Sequence, residues 1–234
     1  AWCCLPEELQ DVELDGLIAS AGSDIWFHGQ NVYRQSLPEK LIRDSCQILK
    51  EMDAVYVLEG FDRIYVSEKA QRILLGKDTL SDDNPELVRW KKYFRQKTNL
   101  HPIEEWSPEI ERIPKITFML FHEEQVEQVK EIMSEDFHVV FFPAAYSGFW
   151  NGELSSRTAD KGTAIQKAAE LLHIGIKDTI AFGDSMNDYE MIEQAGCGVV
   201  MENGDEYLKT IADRVCESVQ EDGVIRELER MHLI

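Results

Sequence analysis

Residues 178–188 constrain this chain more than any other stretch. Asp178-Thr179-Ile180-Ala181-Phe182 shows no polar alternation, which predicts a short strand buried on both faces, as in a parallel sheet. It runs into Gly183, delivers Asp184 at its carboxyl end, and places Asp188 four residues later. Glycine allows a tight backbone turn, and ligands of parallel sheets bind outside the carboxyl ends of the strands. Two carboxylates with the amide of Asn187 between them are hard oxygen donors of the kind Mg²⁺ takes, shared with phosphate and water. The plainer alternative stays open: Asp184 as a turn residue, and Asp188 as an acid favoured at a helix N-terminus.

The surrounding pattern predicts βαβ units on a parallel sheet. Helices are expected over 161–173, 187–194, 205–212 and 223–231, with strands over 178–182, 197–201 and 214–216. The earlier two thirds read differently. Strands are expected over 14–20, 24–27, 31–34, 54–58, 63–67, 115–121, 137–142 and 149–154, several as hairpins. Helices are expected over 38–52, 85–97 and 123–134. The style changes near Ser156, where a domain junction is expected.

Lys161-Gly162 opens the helix before the key strand. A cation at that end opposes the helix dipole. A bound phosphate would resolve the conflict, drawn by the lysine and by the free N–H groups. Met201-Glu202-Asn203-Gly204 and Gln220-Glu221-Asp222-Gly223 read as ordinary turns.

Composition removes several functions. The chain has 234 residues, with 44 acidic and 24 basic side chains and a formal charge of -20. Such a polyanion repels nucleic acid and anionic lipid. Apolar runs are strand-sized and too short to span a bilayer. The start has no leader pattern. Cys3, Cys4, Cys46, Cys197 and Cys216 form no framework or CxxC pair, which points to a reducing cytoplasm.

The order Lys161-Gly162-Thr163-Ala164, then Ala181 through Met191, Ala195-Gly196, Val199-Val200-Met201, Ala212-Asp213 and Glu221-Asp222-Gly223-Val224 resembles the C-terminal half of Cof-type phosphatases of the haloacid dehalogenase superfamily. Leu14 to Ser23, followed by a hairpin, resembles that family's "DGyIasNGa" segment, with Ala21 where the pattern has asparagine. The resemblance implies an α/β fold: a Rossmann-like parallel-sheet core (residues 1–36 and 156–234) with a large α/β cap inserted (37–155). It implies a Mg²⁺-dependent hydrolase of small phosphorylated metabolites, such as sugar phosphates, acting through an aspartyl-phosphate. Carried over position by position, Lys161 and Asp188 take catalytic roles, Lys161 and Asn187 hold phosphate, and Asp184 and Asp188 hold the metal. Substrate choice falls to the cap, with Glu59, Arg63, Tyr146 and Trp150 as candidate contacts.

One hallmark is missing. No DxDG[TS] occurs in the chain, nor the hydroxyl motif of the family's second strand. The expectation is that the chain starts just after that strand, so that nucleophile and acid/base lie outside it. A non-catalytic fragment or binding module of the same fold is the alternative. A nucleotide-binding domain ranks below both, because no GxGxxG or GxxxxGK loop is present.

Overall fold

The computed structural model describes residues 14–76, 85–142 and 148–234, with the backbone alone at 85 and 86. It divides into two compact units, Ala1–Arg157 and Thr158–Ile234.

The first unit opens with an antiparallel meander of β1 (Gly16–Ala19), β2 (Asp24–Phe27) and β3 (Gln30–Arg34). Strand β1 is shorter than the pattern suggested. Ser20, Ala21 and Gly22 follow it with φ of 51°, 53° and 96°. Two of these are not glycine, and left-handed backbone costs such residues about 1–2 kcal/mol each. Asp24 begins β2 fully buried, its Oδ1 accepting from Asn31 Nδ2 at 2.6 Å and Arg34 Nε at 3.0 Å.

The larger sheet has six strands. In chain order they are β4 (Val55–Glu59), β5 (Ile64–Val66), β6 (Leu100–Pro102), β7 (Lys115–Leu120), β8 (Phe137–Phe141) and β9 (Trp150–Ser156). Their spatial order is β6-β5-β4-β7-β9-β8. All neighbours are antiparallel except β5 and β6. Strand β6 was not legible in advance, because three residues ending in proline carry no periodicity. Proline is tolerated there because β6 is an edge.

Three helices of four turns or fewer flank this sheet: α1 (Glu39–Glu51), α2 (Pro85–Arg95) and α3 (Glu123–Met133). On α1 and α3, Ile42, Leu49, Val126 and Val129 recur at helical spacing. They pack on Tyr56, Leu58, Ile116, Phe118 and Leu154 of one sheet face. Leu87 and Phe94 of α2 pack on Val55, Val57 and Met119 of the other. Residues 77–84 lie outside the described residues.

The second unit is the α/β arrangement that the unbroken apolar runs require. Strands β10 (Ile180–Gly183), β11 (Cys197–Met201) and β12 (Arg214–Cys216) are parallel and lie in that order. Helices α4 (Lys161–Leu172), α5 (Tyr189–Gln194), α6 (Glu206–Ile211) and α7 (Gly223–Arg230) connect and cover them. Ala181 and Val200 pack with Ile192 and Leu208 on one side. Val199, Met201 and Cys216 pack with Val224 on the other. Both faces of the central strand β11 are buried, so it does not alternate.

Helix α7 is fastened by charge. Glu227 is 2% exposed and accepts from Arg214 Nε and, at 3.0 Å, from Arg230 Nη1. Burial pushes the Glu227 carboxyl up, but the two guanidiniums outweigh it and hold the group below the ordinary value of 4.5. A carboxylate depressed in the folded state adds stability above its unfolded value and loses it as pH falls through the folded one. Urea unfolding followed from pH 7 downward should therefore show stability beginning to fall below about 4.5. Glu227→Gln should be less stable at pH 7 and flatter below it. An unchanged acid limb in that variant would remove this contribution.

Candidate active site

Asp184 leaves the end of β10 exposed, and no hydrogen bond or ion pair holds its carboxylate among the described residues. Its backbone is fixed on both sides. Its N–H donates to Asp188 Oδ2 at 3.1 Å, and its carbonyl accepts from Asp205 N at 2.9 Å. Asp205 also caps α6, accepting from Tyr207 N and Leu208 N. The loops after β10 and β11 are thus stitched together beneath Asp184.

Asp188 is the centre of the cluster and is buried, at 6% exposure. Its Oδ2 also accepts from Ser185 N at 3.3 Å, and its Oδ1 accepts from Lys161 Nζ at 2.5 Å. The sequence left Asp188 two roles, metal ligand or support for Lys161. In the structure both of its oxygens serve Lys161 and the turn. Gly183 makes this turn feasible: a Cβ there would come within 2.7 Å of Asp188 Cβ.

Lys161 is the first residue of α4, about one-third exposed at its side chain. The dipole conflict read from the sequence is eased by carboxylates of the protein. Asp160 caps the helix, accepting from Thr163 N at 2.6 Å, while Thr163 Oγ1 accepts from Asp160 N at 2.9 Å. Asp188 neutralises the ammonium. The helix comes close to α5 at Gly162, where a Cβ would sit 2.6 Å from Glu190 O. Asn187 is half-buried and accepts from Ser185 Oγ at 2.6 Å through Oδ1, leaving its NH₂ available to a ligand. The second unit therefore gathers Lys161, Asp184, Asn187 and Asp188 around the end of β10.

The candidates in the first unit separate. Glu59 lies with Lys115 and Glu153, whose ammonium and carboxylate are 3.1 Å apart, Glu59 being 3.4 Å from the same ammonium. Arg63 is exposed. Trp150 packs against the core beneath α1 and α3, because it shares a face with Leu154 and not with Glu153. Tyr146 lies outside the described residues. Sequence reading missed Lys115, Thr117, Asn151 and Glu153, which line a cavity of about 480 Å³ with Glu59, Trp90 and Tyr93. The available signal was polar residues at spacing two within otherwise apolar β7 and β9.

Three or more His, Cys, Asp or Glu side chains grouped as a metal cage do not occur among the described residues. No helix among them is long and apolar enough to cross a membrane.

This strand-end cluster on a parallel α/β sheet agrees with the family comparison: a model of haloacid dehalogenase-like hydrolases matches residues 5–228, and the chain belongs to that family, in its Cof-type branch. Among relatives, the phosphatase YwpJ of Bacillus subtilis (strain 168) is 46% identical over 81 residues, 35% of this chain and 28% of that protein. The 5-amino-6-(5-phospho-D-ribitylamino)uracil phosphatase YitU of the same organism is 35% identical over 117 residues, 49% of this chain and 43% of that one. The matches thus span less than half the length of these two relatives. Among solved structures, a haloacid dehalogenase-like hydrolase from B. subtilis superposes with a TM-score of 0.72 at 26% identity, over 92% of this chain and 78% of that one. The HAD subclass IIB sugar phosphatase BT4131 superposes with a TM-score of 0.73 at 20% identity, over 97% and 80%, and shows the fold.

Asp188→Ala removes one ion pair and the acceptor of two backbone N–H groups at once. Leaving a half-buried ammonium and two N–H groups unpaired should cost about 2–4 kcal/mol. Chemical denaturation checks this, and a cost below about 0.5 kcal/mol, ordinary for a surface site, would show that the turn does not depend on Asp188.

Proposed function

We propose that this chain carries the metal- and phosphate-holding part of a Mg²⁺-dependent, cytoplasmic phosphatase for small phosphorylated metabolites, sugar phosphates among them, working through an aspartyl-phosphate. The observation that carries this is the geometry at the end of β10. An exposed carboxylate, Asp184, stands at the carboxyl end of a parallel strand, its N–H bonded to the buried Asp188 that also holds Lys161. The phosphatase names of the relatives support the same reading.

The donor set fits Mg²⁺, which binds through one or two carboxylates and fills its remaining positions with water and phosphate oxygens. Asp184 would be the ligand from this chain. When bound, the ion would neutralise charge on the phosphoryl group. The other roles belong to the chain itself. Asp188 does not compete for the ion, since Lys161 and two N–H groups occupy its oxygens. It acts as a positioning residue that aims Lys161. An ammonium has three donors, so Lys161 can hold Asp188 and a phosphoryl oxygen together and stabilise charge that grows there. The Asn187 NH₂ adds a neutral donor. The attacking carboxylate expected for this family sits in a DxDG[TS] motif, which residues 1–234 do not contain. Neither Asp184 nor Asp188 is proposed in its place.

The test is hydrolysis of a panel of phosphate monoesters by the product of the complete reading frame, with Mg²⁺ and with chelator. Chelation should abolish turnover and Mg²⁺ restore it. Asp184→Ala should lower kcat by about 10²–10³-fold while leaving the melting temperature unchanged, because its carboxylate holds nothing in the fold. Lys161→Met should lower kcat comparably. Full activity in Asp184→Ala, or in chelator, would overturn the proposal.

A further inference from the structure

The second face of the six-stranded sheet changes character along its strands. Val55, Val57 and Met119 lie under α2. Beyond them the same face turns polar. Glu59 pairs in register with Lys115, Thr117 with Glu153, and Met119 with Asn151. These five polar side chains floor the cavity of about 480 Å³, and Trp90 and Tyr93 of α2 form a wall. The volume is that of a small-molecule site, which runs roughly 300–1,000 Å³.

We propose that this cavity binds an uncharged, hydroxyl-bearing organic group and rejects one that carries a carboxylate. The cavity lies wholly in the first unit, and what it binds does not depend on the phosphatase reading. Two observations carry it. First, the single cation of the floor is already neutralised. Lys115 Nζ lies 3.4 Å from Glu59 and 3.1 Å from Glu153, all three side chains being at most one-fifth exposed. Two carboxylates against one ammonium leave the floor net negative, so a second anion meets repulsion in a partly desolvated site. Arg89 also lines the cavity, but it is exposed at the rim, where water and salt screen its charge.

Second, the Thr117 hydroxyl is buried in the floor, the residue being 7% exposed, and Oγ1 has no hydrogen-bond partner among the described residues. A buried polar group without a partner is costly. A hydroxyl is both donor and acceptor, so a ligand hydroxyl satisfies it in either sense, and the flanking carboxylates accept from further hydroxyls. The aromatic wall offers apolar surface to the carbon skeleton.

The experiment uses unphosphorylated probes, ribitol and glycolate, titrated into the whole protein by calorimetry and by the change in Trp90 emission relative to Trp90→Phe. Saturable binding of ribitol and none of glycolate is expected. Thr117→Val should weaken ribitol roughly tenfold, the size of one hydrogen bond, without lowering the melting temperature. Glu153→Gln should allow glycolate to bind. Absence of ribitol binding, equal binding of glycolate, or ribitol binding unchanged in Thr117→Val would each overturn the proposal. The two readings fail separately. Ribitol binding in a protein that hydrolyses no monoester would sink the phosphatase and keep the cavity. Hydrolysis of monoesters without ribitol binding would do the reverse.

Discussion

The ion pair between Lys161 and Asp188 is the contact on which the second unit's site depends. It joins the first residue of α4 to the turn that ends β10. Gly162 lets α4 approach α5, where a Cβ would come within 2.6 Å of Glu190 O, and Gly183 lets the turn close on Asp188. Asp188 then reaches back to two N–H groups of its own turn, so one carboxylate sets both the backbone that presents Asp184 and the direction of the Lys161 ammonium. The arrangement separates two jobs that the spacing of the aspartates left undivided: Asp188 is buried and committed, Asp184 is exposed and open.

The first unit shows a different economy of charge. Its sheet has one face sealed by two helices and another covered only in part, by α2 and by Ala70, Ile73 and Leu74. Where the apolar cover stops, charged residues appear on strands that are otherwise core. Lys115 is tolerated there because two carboxylates bracket it. A lone lysine at that position would be drawn out toward water. The polar floor is thus built on rigid, fully paired strands rather than on loops, which keeps its geometry independent of loop motion.

The fold of the second unit was legible because β10 and β11 read as unbroken apolar runs and because α4 and α6 begin with the capping residues Asp160 and Asp205. Its site was legible because the four residues lie at strand and helix ends, where glycine and aspartate stand out. The first unit was less open to reading. Strand β6 is three residues long and contains Pro102, so no period could mark it. The left-handed triplet at Ser20 is stated by no residue type except Gly22. Trp150 was drawn toward a binding role by its place at a strand end, yet its parity along β9 packs it against the core. The cavity floor was missed for a related reason. Glu59, Lys115 and Glu153 are distant in sequence, and only the pairing of β7 with both β4 and β9 assembles them.

That pairing has a kinetic consequence. Strands β4 and β5 form a hairpin from neighbouring residues, as do β8 and β9 after their connection, and each can close early because the chain entropy lost in a short loop is small. Strand β7 is different. It lies between the two hairpins in space and pairs with β4 from some sixty residues away. The inner edges of both hairpins, on β4 and β9, stay unpaired until β7 arrives, and β7 has no local partner of its own. Folding of this unit therefore turns on one late, long-range event, the kind that slows mixed and β-rich domains. Before that event the lysine and its two carboxylates are on separate pieces of chain, so the polar floor comes into being together with the tertiary structure and not before it.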